Sequence, residues 1–482
     1  MTDLRFILYV NGILLMMVAG AMLLPAIVDF AQYNDDAWVF LYSSATVLFF
    51  GVMLFLGSRG HKPLVNRRTG FALTVSCWLF IGAFSSLPLL YSSLNLGLVD
   101  AFFETMSGLT TTGSTVIVGL DDLPPGLLLW RSMLQWLGGV GIVVMAIFML
   151  PLLRVGGMQL FRSESSDIGE KPVPRVIQLA SLTVVTYALL TLLCAIGYSI
   201  AGMGTFDAIN HAMTTLATGG YSTKDASIGF YDSPPIEIVG IVFMLAGALP
   251  LIFYPRLALE GRRAWRREPQ VRWYLGTALV PVALCTAWLW LSLGWPFGEA
   301  LRFAAFNVVS IITDTGYATA DFSAWGAFPV GLFFALFFVG GCAGSTAGAI
   351  KMFRWRLLFA SLGQQLEGML FPNRVSILRY AGKAVDSEMM DSVRNFFFLY
   401  VLTFLVFSLA VMATGLDFLS STSAVAQAMA NAGPGLGPVV GPGTNFASVT
   451  DAAKLLLVLA MLLGRLELTT VYVLFITAFW RG

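Results

Sequence analysis

The chain has 482 residues, of which 57% are hydrophobic and 11% are charged. Soluble domains carry about 25% charged residues, so this composition excludes an ordinary soluble protein and indicates one that is integral to a membrane. The formal net charge of +1 gives no electrostatic reason to expect a nucleic-acid partner. The four cysteines are far apart in apolar stretches, and their spacing fits neither a metal site nor a disulfide framework.

Two apolar runs open the chain. Phe6–Ala26 and Trp38–Gly57 are each close to the ~20 residues that a membrane-spanning helix needs. The few residues before Phe6 carry little positive charge and no cleavage site, so we expect Phe6–Ala26 to be a retained helix and not a signal peptide.

Eight further apolar runs follow in four pairs. The pairs are Phe71–Tyr91 with Leu127–Leu150, Val176–Ala201 with Ile236–Tyr254, Trp273–Trp295 with Phe328–Ile350, and Phe396–Met412 with Leu455–Trp480. The sequence therefore predicts ten spans. We divide it into an N-terminal two-helix domain (residues 1–68) and four repeats (residues 69–170, 171–270, 271–390 and 391–482).

Within each pair, a short helical pattern ends in a segment rich in Gly and Thr. These segments are Thr111-Thr112-Gly113, Thr218-Gly219-Gly220, Asp314-Thr315-Gly316 and Gly433-Pro434-Gly435. The equivalent glycines are separated by 107, 96 and 119 residues if Gly435 is the fourth, which indicates a fourfold internal repeat. The fourth copy offers two candidates, Gly433 and Gly435. We prefer Gly435 because Leu436 then matches the tyrosines that follow the second and third glycines.

Each of these segments is too short to cross a bilayer. Irregular backbone at membrane depth is tolerated only where it is buried in protein or lines a water-filled cavity. Four such segments can meet on one axis with their carbonyl oxygens inward, where they replace the hydration shell of a cation. Glycine permits the necessary backbone angles. The sequence therefore predicts an all-α integral membrane protein, with four helix, pore helix, helix repeats around a central pore and two extra helices before them.

In these segments the chain resembles the Trk/Ktr/HKT superfamily of potassium transporters, and most of all its bacterial TrkH membrane subunits. Asp314-Thr315-Gly316-Tyr317 is close to the Thr-Val-Gly-Tyr signature of potassium channels. The resemblance implies K+ uptake across the bacterial inner membrane, with K+ bound at the filter segments and no other cofactor. It also implies a cytosolic nucleotide-binding regulator (TrkA-like) and a homodimer, in contact with membrane lipid.

Most of the basic residues lie in loops on one predicted side, namely Ser58–Arg68, Pro151–Arg175, Arg256–Arg272 and Lys351–Arg394. Because positive loops stay cytoplasmic, we expect both termini inside and the filter segments open to the outside. The opposite loops are rich in Asp, which would concentrate cations at the pore mouth. The last two basic loops are suited equally to a regulatory protein and to anionic lipid headgroups.

Two interruptions mark where flow could be controlled. The first is a run that contains Gly340, Gly341, Gly344, Ser345, Thr346 and Gly348. Each Gly costs about 1 kcal/mol relative to Ala in a helix, so we expect a flexible segment below the filter. It could block the pore there, as an intramembrane loop does in the resembled proteins. Close packing of small residues between helices is the alternative. The run lacks the Gly-Lys-Ser/Thr ending of a nucleotide phosphate loop.

The second interruption is Arg465, within Leu455–Trp480. A basic side chain at mid-bilayer costs roughly 2.5–3.5 kcal/mol, so we expect it to face the pore, where it would oppose cation passage. The resembled proteins carry an Arg at the corresponding place. The alternative is an ion pair with Glu467 or with a carboxylate of another helix.

Polar residues also recur inside the short helices. Glu104, His211 and Asn307 each lie nine residues before their glycine, and Ser107, Thr214 and Ser310 align as well. We expect them to hydrogen-bond the filter from behind. No phosphate loop and no nucleophile with a base is present, so we do not expect an enzyme. The rival function is that of an ion-coupled (H+ or Na+) symporter. Inverted repeats would favour a symporter, but an even number of spans separates successive filter segments here, so the repeats are parallel.

Overall fold

A computed structural model describes residues 3–60, 66–149, 172–373, 377–380 and 383–481 of the chain. The described part is almost entirely helical. Its helices are α1 (Leu4–Ala31), α2 (Asp36–Gly57), α3 (Arg67–Ser85), α4 (Leu87–Tyr91), α5 (Leu98–Leu109), α6 (Pro125–Met149), α7 (Pro172–Ile200), α8 (Thr205–Leu216), α9 (Pro234–Ala248), α10 (Phe253–Glu260), α11 (Arg262–Arg267), α12 (Pro269–Leu291), α13 (Phe297–Ile312), α14 (Ala327–Leu336), α15 (Met352–Leu370), α16 (Ser387–Met412), α17 (Phe418–Ala430), α18 (Asp451–Arg465), α19 (Leu468–Tyr472) and α20 (Thr477–Trp480). Strands β1 (Arg379–Tyr380) and β2 (Lys383–Ala384) form a short antiparallel pair. Most of the predicted basic loop Pro151–Arg175, and residues 61–65 of the loop Ser58–Arg68, lie outside the described residues.

The first two helices pack closely against each other. A Cβ atom on Gly12 of α1 would lie 2.7 Å from the backbone nitrogen of Phe55 and 2.8 Å from the carbonyl oxygen of Gly51 in α2. Only glycine therefore allows this approach. The two predicted N-terminal spans are both present as helices of sufficient length and hydropathy to cross a membrane.

Four short helices, α5, α8, α13 and α17, are largely buried. The longest has 16 residues, about 24 Å at ~1.5 Å per residue, which is less than the ~30 Å hydrocarbon core of a bilayer. Three of them carry an acidic residue in the first turn, namely Asp100, Asp207 and Glu299. The fourth is capped by Asp417, whose carboxylate accepts from the amide of Ser420 (3.0 Å). Negative charge stabilises a helix N-terminus. The glycine-containing segments follow the opposite ends of these four helices, where the free backbone carbonyls lie.

Three of the ten predicted spans are not continuous helices, which corrects that part of the prediction. The span Ile236–Tyr254 ends as α9 at Ala248, and α10 then turns away by 96°. Leu249 is extended and precedes Pro250, and a residue before proline disfavours the helical conformation. Among the described residues, seven helices are long and apolar enough to cross a membrane, or up to nine if each bent pair counts as one span.

The other two interrupted spans lie in the third and fourth repeats. Phe328–Ile350 is helical only to Leu336, and residues 337–351 form a non-helical loop, hereafter the glycine loop. Leu455–Trp480 breaks after Arg465, where the chain turns by 112°. Glu467, at this turn, has a φ of +59°. Arg465 is therefore the last residue of α18, and not a residue inside a continuous span.

Candidate ion pathway

Each short buried helix is followed by three residues with the same backbone conformation. The first residue has a left-handed φ, of +56° at Thr111, +50° at Thr218, +61° at Asp314 and +58° at Asn431. The third is a glycine with a φ of +85° at Gly113, +75° at Gly220, +85° at Gly316 and +87° at Gly433. A positive φ is uncommon outside glycine. Its recurrence shows that these four segments, hereafter the glycine segments, share one backbone design.

Hydrogen bonds repeat in the same way. The middle residue of each glycine segment donates its amide to the carbonyl five residues earlier, at the end of the short helix. These bonds are Thr112 to Ser107 (2.8 Å), Gly219 to Thr214 (2.9 Å), Thr315 to Ser310 (2.9 Å) and Ala432 to Gln427 (3.0 Å). The chain therefore leaves all four helices along the same path, as the fourfold repeat predicts.

The fourth equivalent glycine is Gly433, so the preference for Gly435 was wrong. Gly435 does not share the positive φ of the other three glycines, and its amide donates to the carbonyl of Val440 (2.7 Å). Pro434, and not Leu436, takes the place of the tyrosines of the second and third repeats. Backbone geometry decides this point, because the side chains of the fourth copy do not preserve the motif.

The four glycines converge on one another. A Cβ on Gly113 would overlap the carbonyl oxygen of Gly219, and one on Gly220 would overlap that of Thr315. A Cβ on Gly316 would lie 2.5 Å from the Cα of Gly433 and 2.7 Å from the carbonyl oxygen of Ala432. Each of these three glycines thus faces the next repeat in order, and the ring leaves no room for side chains.

A buried ion pair supports the first and second glycine segments from behind. Arg131 Nε lies 2.8 Å from Glu104 Oε1, and both side chains are at most 1% exposed. Arg131 also donates to the carbonyl of Ser222 (3.1 Å), and its guanidinium carbon lies 4.1 Å from the Tyr221 ring centroid. Glu104 accepts from the amide of Val116 (2.8 Å). One pair of side chains therefore links the segments that follow the short helices α5 and α8.

The other predicted supports lie in equivalent places. His211 Nε2 and Ser222 Oγ are 3.0 Å apart. Asn307 accepts from the amide of Thr319 (3.1 Å) and donates to its hydroxyl (2.8 Å). The Tyr317 hydroxyl donates to the carbonyl of His211 (3.1 Å). Asn307 thus holds the backbone beyond the third glycine, and the Ser310 hydroxyl donates to the carbonyl of Tyr317 (2.7 Å). His211 meets only a side chain there, Thr214 bonds to the Tyr317 hydroxyl, and the Ser107 hydroxyl makes no hydrogen bond of normal geometry within the described residues. The predicted bonds to the backbone are therefore present only in part.

The glycine loop packs directly against the carbonyl ends of two short helices. The Thr346 hydroxyl lies 2.9 Å from the carbonyl oxygen of Leu216, at the end of α8. The Ala349 amide donates to the carbonyl of Ala430 (2.9 Å), at the end of α17. A Cβ on Gly348 would overlap that same oxygen. The predicted flexible segment is therefore a compact loop beneath the glycine segments.

Arg465 holds this loop through a backbone carbonyl. Its Nη1 donates to the carbonyl of Thr346 (2.8 Å) and its Nη2 to that of Gly138 (3.4 Å). Glu467 pairs instead with Arg354 (3.0 Å). In the part of the chain that the structure describes, no carboxylate forms an ion pair with Arg465, which excludes the pair with Glu467.

A second charged cluster lies close by. The buried carboxylate of Asp314 makes no hydrogen bond of normal geometry to the described residues, and the positive charges of Lys351 and Arg465 act on it. Lys351 donates to the carbonyl of Ala347. Lys351 and Arg465 also line a cavity of about 130 Å³, together with residues of the glycine loop and its neighbours. The arrangement places two basic side chains near Asp314 of the third glycine segment.

Comparison with known proteins agrees with this geometry. The family model TrkH, described as a cation transport protein, matches residues 38–481. A Trk system potassium uptake protein of Halomonas elongata, TrkI, is 42% identical over 98% of this chain and 96% of its own length. The chain belongs to the TrkH family. TrkH of Escherichia coli is 39% identical over 99% of each chain. The crystal structure of the potassium transporter TrkH from Vibrio parahaemolyticus is 36% identical and covers both chains completely, with a TM-score of 0.92.

Membership of the TrkH family confirms the predicted resemblance and the helical membrane fold. The relatives are transport proteins, which agrees with the expectation that this chain is not an enzyme.

Sequence analysis missed three residues of the site. Arg131 and Gln135 lie four positions apart on α6, where they share one face. Gln135 donates to the carbonyl of Gly219 (2.6 Å) and accepts from the amide of Tyr221 (3.0 Å). Asn431 donates to Thr112 Oγ1 (3.1 Å). The sequence did carry a signal for Arg131 and Gln135, because they are polar residues one turn apart in an otherwise apolar helix.

Proposed function

We propose that the chain carries K+ inward across a bacterial cytoplasmic membrane, through a pore on the axis of its four repeats. The observation that carries this proposal is the fourfold recurrence of a left-handed residue and a glycine in segments that converge. The relatives named as potassium uptake proteins supply the identity of the ion. The repeats are assigned to residues 69–170, 171–270, 271–390 and 391–482.

In this proposal the glycine segments form the selectivity filter. Their backbone carbonyls replace the water shell of K+, and the carbonyl ends of the four short helices favour a cation there. The filter residues are Thr111, Thr112, Gly113, Thr218, Gly219, Gly220, Asp314, Thr315, Gly316, Asn431, Ala432 and Gly433. The sequence analysis assigned Pro434 and Gly435 to the fourth filter segment. The filter proposed here omits them, because Gly433 has the backbone conformation of the other three glycines.

The glycine loop and Arg465 form the proposed gate. The loop occupies carbonyl oxygens at the ends of α8 and α17 that would otherwise face the ion path, and Arg465 holds it there. The guanidinium also opposes a permeating cation by its charge. Opening then requires the loop to release the Leu216 and Ala430 carbonyls. The interrupted backbone supports this hypothesis over close helix packing.

We further propose that a cytosolic nucleotide-binding subunit of the TrkA kind controls the gate and that the chain forms a homodimer. The relatives are named as parts of a Trk system, which supports a partner. Helix α15 begins directly after the glycine loop, so a protein bound to α15 could pull on it. In this orientation both termini and the basic loops are cytoplasmic.

Single-molecule currents test the proposal against its rival. The chain reconstituted in a planar bilayer with a K+ gradient should show unitary currents that reverse at the K+ equilibrium potential. An H+ or Na+ symporter would instead shift the reversal potential when the gradient of the coupled ion is changed. K+-independent currents would refute the proposal.

A further inference from the structure

A groove on the outside of the third repeat is distinct from the ion pathway. It has a volume of about 590 Å³ and lies between α12, from Arg272 to Leu284, and the residues Leu332 and Leu336 of α14. Its lining is apolar except for Arg272 at one end and Thr277. Val280 and Leu284, which line it on α12, are 59% and 47% exposed. On a membrane-spanning helix, such a face is in contact with lipid.

The shape of the groove fits one acyl chain. Arg272 and Leu284 are 12 residues apart on α12, about 18 Å at ~1.5 Å per residue. One leaflet supplies about half of the ~30 Å hydrocarbon core. Gly276 lies one turn of the helix from Arg272, and nothing is within 4 Å of where its Cβ would be. The groove therefore has the length of one leaflet, with open space beside Gly276 near its basic end.

The basic end of the groove fits a phosphate. Arg272 lines the groove and is exposed. Arg356 lies behind the lining, with its guanidinium carbon 5.5 Å from the ring centroid of the groove residue Trp273 and 5.4 Å from that of Tyr380. The Nη1 atom of Arg356 is buried and makes no hydrogen bond within the described residues. Tryptophan is favoured at the headgroup level of membranes. Two arginines around an interfacial tryptophan thus provide donors for an anionic headgroup.

We propose that this groove binds an anionic phospholipid, with an acyl chain along α12 and its phosphate between Arg272 and Arg356. The site borders both ends of the glycine loop, because Leu336 is the last residue of α14 and Arg356 lies in the first turns of α15. A bound lipid would join the two helices that flank the loop. The site is independent of which ion the pore conducts.

Native mass spectrometry of the full chain, exchanged into detergent with equal amounts of phosphatidylglycerol and phosphatidylcholine, tests the proposal. The unmodified protein should retain phosphatidylglycerol preferentially. Gly276→Leu fills the groove and Arg272→Gln removes a charge, and each should lower that retention about fivefold. Gly20→Leu is the matched control, because Gly20 lies on α1 with nothing within 4 Å of its Cβ position. It should retain lipid like the unmodified protein.

The two variants act at different parts of the groove and separate the explanations. Equal retention by Gly276→Leu and Gly20→Leu would overturn the groove site, even if Arg272→Gln lost lipid, because general surface charge would then explain binding. Thermal melting in the same detergent checks folding, and the lipid shift in melting temperature should fall in both groove variants and persist in Gly20→Leu.

Discussion

Arg465 is a buried cation whose hydrogen-bond partners are backbone carbonyls. A positive charge near a permeating K+ costs on the order of 4 kcal/mol at 4 Å with an effective dielectric of 20. Arg465→Gln removes this charge and weakens the bond to the Thr346 carbonyl. We expect Rb+ uptake per inserted molecule to rise by tenfold or so, measured in vesicles without a regulatory subunit.

Arg354 is the matched control for this prediction. It is also a buried arginine beside the cavity, but it pairs with Glu467. Arg354→Gln leaves that carboxylate without its partner, so the amount of folded protein should fall without a gain in uptake per molecule. Reduced folding and unchanged uptake in Arg465→Gln as well would count against the electrostatic barrier.

The pair of Glu104 and Arg131 is predicted to act as a unit. Arg131→Gln leaves a buried carboxylate unpaired, which typically costs about 3–5 kcal/mol. The double variant Glu104→Gln with Arg131→Gln removes both charges, so it should be more stable than the sum of the single changes predicts. Thermal unfolding in detergent measures this coupling. Additive losses of stability would show that the two side chains act separately.

At the scale of elements, Thr346 provides a side-chain contact between the glycine loop and the helices around it. Its hydroxyl lies within 3.0 Å of the carbonyl oxygens of Leu216 and Gly247. Thr346→Val keeps the shape but removes these contacts, so basal Rb+ uptake should rise several-fold, at about 1 kcal/mol per lost bond.

Ser345 provides the control for the loop. Its hydroxyl bonds only to Cys342 within the loop in the described structure (2.7 Å), so Ser345→Ala should leave basal uptake close to that of the unmodified protein. If both variants raise uptake equally, general loosening explains the effect and the specific contact does not.

The three helix breaks differ in how well the sequence predicts them. The glycine run predicted the loop because its helix cost accumulates residue by residue. Leu249-Pro250 carried a proline signal whose consequence was missed. No local sequence signal was used to predict the turn after Arg465, where Glu467 adopts a positive φ that is rare for its residue type. Tertiary contacts, including the pair with Arg354, set that turn.

For the whole molecule, apolar run lengths were sufficient to predict the helical membrane class, and the spacing of the Gly- and Thr-rich segments predicted the fourfold repeat. The sequence did not predict which side chains join neighbouring repeats, because those contacts connect residues about a hundred positions apart and leave no local pattern. Gln135, which bonds to Gly219, illustrates this. The fourth glycine was misassigned for a different reason: Gly433 shares the backbone conformation of the other three, but the side chains around it do not preserve the motif.

The orientation of the whole chain is open to chemical labelling. The four native cysteines are buried, so single substitutions on exposed positions can report sidedness. We expect Arg263→Cys to react with a membrane-impermeant maleimide only after cells are opened, and Ala226→Cys to react in intact cells. The reverse pattern would contradict the cytoplasmic placement of the basic loops.

The most direct test of the account compares two neighbouring glycines. Gly433 closes the ring of glycine segments, whereas Gly435 lies outside it, and a Cβ there would meet Val440 and Ser423. The test is the K+ to Na+ permeability ratio of the Gly433→Ala and Gly435→Ala variants in planar bilayers. This ratio is independent of expression level. The account predicts that the ratio falls about tenfold or more for Gly433→Ala and stays unchanged for Gly435→Ala. An unchanged ratio for Gly433→Ala, or an equal loss in both, would contradict it.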